Sequence, residues 1–222
     1  MSTRTIYDAL RAAGLTREGA CGLMGNMQAE SSMKSNIVQR GMTAMSDEEY
    51  TEAADMGRID FAHDSIGYGL CQWTFYSRKA ALLDFARTYR MRSAYRESVG
   101  NEEMQVAFCI QEMREDFPNV WRVLTSSWDL YECTRIVCIQ YERPAVNNVD
   151  ARFAFARQFM EQFPDEPEDT GSSQENGESD LAVAMLQLLM REGGCWDREL
   201  DGVKSPAFRE KIREYADDVA SC

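Results

Sequence analysis

The sequence predicts a predominantly helical α+β domain with one small β-hairpin, followed by a short helical C-terminal module. Three observations lead there. Helix formers are plentiful and extended β-branched runs are scarce. Apolar residues recur at helical spacing through most of residues 3–163. One stretch breaks that pattern: "DSIGYGLCQWT", Asp64 to Thr74, sets two glycines two apart among aromatics, which favours a tight turn or short hairpin over a helix.

The elements follow in order. Thr3–Ala13 reads as the first helix, with Gly14 near its C-terminal end. Thr16 is placed to cap the second, with Glu18 in its first turn. Its apolar stripe is Ala20, Leu23, Met24 and Met27. Residues 34–60 are polar and irregular, apart from one helix start in which Ser46 and Glu49 fit a capping box. Helical period returns at Ser77–Arg90, at 101–116, near 128–142 and near 150–163. "FPDEPEDTGSSQENGES", Phe163 to Ser179, combines prolines, glycines, acids and small polar residues, the composition of a solvated linker. The predicted division is a main domain over 1–163, an acidic linker over 164–179 and a helical tail over 180–222.

Composition excludes several function classes. The net charge of −13 argues against nucleic acid as a partner, because phosphate binding needs a basic face. It argues equally against electrostatic docking on an anionic membrane. No apolar stretch reaches the length of a membrane span, and residues 1–15 lack the apolar core of a signal peptide. Seven cysteines form no CxxC pair, and His63 is the only histidine. A zinc ribbon and a His-rich metal site are thereby excluded. No metal or organic cofactor is implied. Cys21, Cys109 and Cys138 sit inside apolar patterns, as small buried hydrophobes do.

One residue interrupts the stripe of the second helix. Leu23 and Met27 point to a buried face, and the next residue on it is Glu30. A carboxyl at the edge of an apolar face is partly desolvated, and a helix C-terminus also disfavours its charge. Both effects favour a carboxyl that keeps its proton, as a general acid must. The competing reading is a frayed helix end with Glu30 in water.

Four phrases in order shift the balance: "GLMGNMQAES" (Gly22–Ser31), "SIGYGLCQWT" (Ser65–Thr74), "RKAALLDFA" (Arg78–Ala86) and "YERPAV" (Tyr141–Val146). Together they resemble the phage tail lysozyme family, over most of residues 14–160. The resemblance implies a lysozyme-like fold, with Glu30 at the position of the catalytic acid and a hairpin carrying "GYGLCQW" across the cleft. Gly69 would let backbone groups approach a saccharide. Gln72 would bind an acetamido or hydroxyl group, or else hold the hairpin. Tyr68 or Trp73 would pack on a sugar face, although a large aromatic such as Trp73 also suits the core. Tyr141 would reach substrate or Glu30. Glu142 and Arg143 are expected to pair or to fix a helix end before Pro144.

Glycoside hydrolysis commonly needs a second carboxylate. Asp64 is best placed by sequence, with Asp60, Glu49 and Asp55 as further choices. The opposing reading of Asp64 is a turn-forming residue. Some lysozyme-like enzymes instead resemble lytic transglycosylases and work with one acid. The tail "VAMLQLLMREGG…ELDGVKSPAFREKIREY" is similar to small helical peptidoglycan-binding repeats, the other reading being an assembly contact. The resemblance implies a muramidase acting on bacterial peptidoglycan, located in a phage tail or extracellularly and associated with a phage tail, secretion or conjugation assembly. Its rivals are a lytic transglycosylase, a Cys-dependent peptidase that cuts a different bond of the same polymer, and a non-catalytic wall-binding or tail-structure protein.

Overall fold

The structure is a computed structural model that describes residues 2–89 and 97–164. The chain divides into two units, Met1–Asp165 and Glu166–Cys222. The C-terminal module and all of the linker after residue 164 lie outside the described residues.

The first unit is helical: α1 (Thr3–Ala12), α2 (Arg17–Ser31), α3 (Asp47–Asp55), α4 (Tyr76–Thr88), α5 (Glu102–Asp116), α6 (Pro118–Ser126), α7 (Leu130–Ile136), a π-helical segment (Val137–Glu142) and α8 (Val149–Gln162). The helix starts follow side-chain chemistry. Thr16 Oγ1 accepts from Gly19 N at 2.9 Å. Ser46 and Glu49 close the expected capping box. Asn101 and Asp129 cap α5 and α7. Sequence reading passes over α6, whose marks are Pro118 at its start and a Val120, Val123, Leu124 stripe.

α2 is the central element, packed against α1, α6, α7, the π-helical segment and α8. The amphipathic stripe expected for it is too narrow a description. Every residue from Gly19 to Met27 is buried, as in a helix enclosed on all sides. Three glycines make that enclosure possible. A Cβ on Gly19 would stand 2.0 Å from Leu124 O, on Gly22 2.9 Å from Cys133 Cβ, and on Gly25 2.6 Å from Arg152 O. Each glycine therefore seats a different helix: α6, α7 and α8.

The expected α+β class with a β-hairpin is corrected. Among the described residues no strand forms, only isolated bridges between Val38 and Tyr68 and between Tyr68 and Trp73. Tyr68 and Trp73 exchange backbone hydrogen bonds at 3.2 and 3.0 Å around a turn closed by Gln72 N to Gly69 O. The ladder stops there for a physical reason. Before Tyr68, Ser65 takes positive φ and ends the extended backbone. After Trp73, the chain enters α4 within three residues. A single paired rung has no second pair to extend it, and positive φ at Gly69 and Gln72 bends the chain away from extension.

Candidate active site

Glu30 sits one residue before the end of α2, where Ser32 takes left-handed φ and stops the helix. Its side chain is 18% exposed and lines an open cavity of about 1010 Å³. α8 crosses α2 at Gly25 and brings Arg152 to it. Arg152 Nη2 donates to Glu30 Oε1 at 2.5 Å, and Nη1 donates to Asn26 Oδ1 at 3.1 Å. Asn26, wholly buried, donates to the carbonyls of Gly22 and Thr134. Glu30 is thus tied through one guanidinium to the middle of its own helix and to α7. The Nε of Arg152 is buried without a partner.

The π-helical segment forms the facing wall. Widening the helix by one residue per turn changes which side chains point inward, and such insertions recur at functional sites. Here Tyr141 turns into the core and Glu142 onto the cavity, before Arg143 at φ 50° ends the segment. Glu142 is partly buried, and its Oε1 is out of water without a hydrogen-bond partner. Burial, followed by the charge of Glu30, pushes the Glu142 carboxyl well above the usual range. Arg78 and Arg152 pull the other way.

Behind this wall lies a buried polar network around Glu112 of α5. It accepts from Arg78 Nε at 2.6 Å and Nη2 at 2.8 Å, from Tyr141 Oη at 2.6 Å and from Trp73 Nε1 at 3.0 Å. These bonds join four separate elements. Arg78 also stacks over the Tyr141 ring, 4.4 Å from its centroid.

The residues singled out in the sequence divide accordingly. Glu30, Gln72 and Tyr141 line the cavity. Gln72 donates to the carbonyls of Gly69 and Ile37, so its amide also braces the loop. Trp73 and Tyr68 are in the core; Tyr68 Oη pairs with Thr51 Oγ1 at 2.7 Å. Gly69 packs against Gln105. Asp64 lies outside the cavity lining, bonded by the wholly buried Lys79, by Tyr50 Oη and by Ile66 N. Asp60 pairs with His63, Glu49 closes its capping box, and Asp55 accepts from Val99 N. None of these three lines the cavity either.

Sequence reading did not single out Arg152, Arg78, Glu112 or Phe75 as site residues. Phe75 lines the cavity and is 65% exposed. Its signal was an aromatic just after the "GYGLCQWT" phrase. Arg152 carried no local signal, because its partner lies 122 positions away. Cys71, also on the cavity, is a buried thiol whose pKa is raised by burial and by the neighbouring Cys109. Among the described residues no group of three His, Cys, Asp or Glu is set to hold a metal ion, and no helix is long and apolar enough to cross a membrane.

Comparison with known proteins adds one assignment. Residues 2–163 match the phage tail lysozyme family, over the whole helical unit that carries the cavity. No curated protein matches the sequence.

Proposed function

The chain belongs to the phage tail lysozyme family, and from that premise we propose that it is a muramidase. Its bond is the one between N-acetylmuramic acid and N-acetylglucosamine in bacterial peptidoglycan. The observation that carries this reading is a carboxyl, Glu30, at the end of the enclosed helix and on the wall of an open cavity. The cavity is open to solvent, as a site that takes part of a longer polymer has to be. Its rim supplies what a sugar chain needs: the exposed ring of Phe75 for a pyranose face, and Gln39, Gln72, Thr74 and Ser77 for hydroxyl and acetamido groups. Glu30 delivers a proton to the glycosidic oxygen, and water completes the cleavage. The site of action is the cell wall, reached from a phage tail or a related assembly. In this reading residues 180–222 tether the enzyme to insoluble wall and raise its local concentration there.

The test is mass spectrometry of fragments released from purified peptidoglycan by the wild type and by Glu30→Gln. Reducing sugar ends, reduced at least about 10²-fold in the variant, are the expected result. Anhydro ends lost in the variant would make the protein a lytic transglycosylase. No release by the wild type from several wall types would leave a wall-binding protein without catalysis.

A further inference from the structure

The acid required by this reading is found in a salt bridge. Arg152 Nη2 holds Glu30 Oε1 at 2.5 Å. A general acid must present a proton, and one of the two oxygens of Glu30 is already taken by a guanidinium donor. A second carboxyl on the cavity wall would give the proton another place.

Glu142 offers one. It lines the same cavity as Glu30. Its Oε1 is buried and unpartnered, an expensive state for a charged oxygen and a far cheaper one for a neutral carboxyl. The titratable groups that act on it are Glu30 of α2, Arg78 of α4, Cys109 of α5, Arg152 of α8, and the thiols of Cys71 and Cys138. Two of these are cations, yet neither bonds Glu142: Arg78 donates to Glu112, and Arg152 donates to Glu30 and Asn26 while its Nε stays unpartnered.

We propose that Glu142 is a positioning residue that stores the proton Glu30 delivers. The proposal rests on the glycosidase reading above. As substrate fills the cleft, the proton passes from Glu142 to Glu30 through water in the cavity that both line. It then passes from Glu30 to the glycosidic oxygen as the C1–O bond breaks, and the departing sugar leaves with a hydroxyl. Water forms the new bond to C1 and gives its proton to the Glu30–Glu142 pair, which restores the resting state. Burial and the Glu30 charge both hold the Glu142 carboxyl in its neutral form before substrate arrives.

The experiment compares the wild type, Glu142→Gln and Glu30→Gln. On peptidoglycan, Glu142→Gln should lower kcat/KM at neutral pH by about 10²-fold, the lower end of what proton transfer contributes. Acidification should restore it, because solution protons then fill Glu30, whereas Glu30→Gln should stay inactive at every pH. A loss in Glu142→Gln that is equal at all pH values, or no loss, overturns the proposal. Infrared spectroscopy supplies a readout that needs no activity. At neutral pH the wild type should show a protonated carboxyl band that is missing from Glu142→Gln. Absence of the band in the wild type, or its persistence in Glu142→Gln, overturns the proposal. Failure of the wild type to cleave peptidoglycan would count against the glycosidase reading alone, and the infrared result would still decide the state of Glu142.

Discussion

Glu142 and Glu30 differ less in chemistry than in what surrounds them. Glu30 has a guanidinium on one oxygen, while Glu142 has an oxygen sealed from water with nothing bound to it. That difference has a consequence for stability. The folded pKa of Glu142 is raised above its unfolded value, which is about 4.3. Between those two values the native state keeps a proton that the unfolded chain has lost. Stability from this group is therefore full below the unfolded pKa and falls as pH rises through the folded one. Glu142→Gln has no proton to lose. Thermal unfolding across a pH series should show the variant gaining on the wild type as pH rises. Parallel curves would mean that Glu142 is not held neutral. Its sequence gave no warning of this, since "YERPAV" reads equally well as a helix end braced by Glu142 and Arg143. The charges around it come from α2, α4 and α8, of which α2 and α4 are distant in the chain.

At the scale of elements, α2 and α8 act as one unit, because Arg152 fixes Glu30 only while the two helices remain in close contact. Gly25 sets that distance: an added Cβ would stand 2.6 Å from Arg152 O and 2.8 Å from Ala156 Cβ. The obstacles include backbone, which cannot swing aside as a flexible side chain would. Gly25→Ala should cost about 1–3 kcal/mol by overpacking, measured by denaturant unfolding. It should also depress cleavage beyond any loss of folded protein, because α8 would carry Arg152 away from Glu30. An unchanged midpoint together with full activity would show that the contact can relax without cost. The "GACGLMG" phrase made the glycines visible in the sequence. Which helix each one admits was not visible, since Leu124, Cys133 and Arg152 are more than a hundred residues away. The π-helical segment was equally hidden: 128–142 has ordinary helical period, and nothing in that spacing marks the widened turn from which Tyr141 bonds Glu112.

Over the whole molecule, the net charge of −13 bears on the proposed action at a cell wall. Many bacterial walls are themselves anionic, so approach is opposed by long-range repulsion, which salt screens. Cleavage of an anionic wall should therefore speed up as ionic strength rises from low to physiological values, with little change on a neutral soluble oligosaccharide. Turbidity clearance against salt is the measurement. A rate that falls with salt would instead place an attractive basic surface at the point of contact.

The sequence by itself determined the helix periods, the caps at Thr16 and Ser46, the family phrases and the singular position of Glu30. Those features are local, written in spacing and in side chains that bond within three or four residues. Tertiary structure decided the rest. It replaced the expected hairpin with one paired rung, because positive φ at Ser65, Gly69 and Gln72 and the start of α4 at Tyr76 leave no extended arms to pair. It set Asp64 beside Lys79, outside the cavity lining, while Glu142 came to that cavity with Glu30. Both outcomes depend on which distant side chain neutralises or isolates a charge, and residue spacing along the chain carries no record of that.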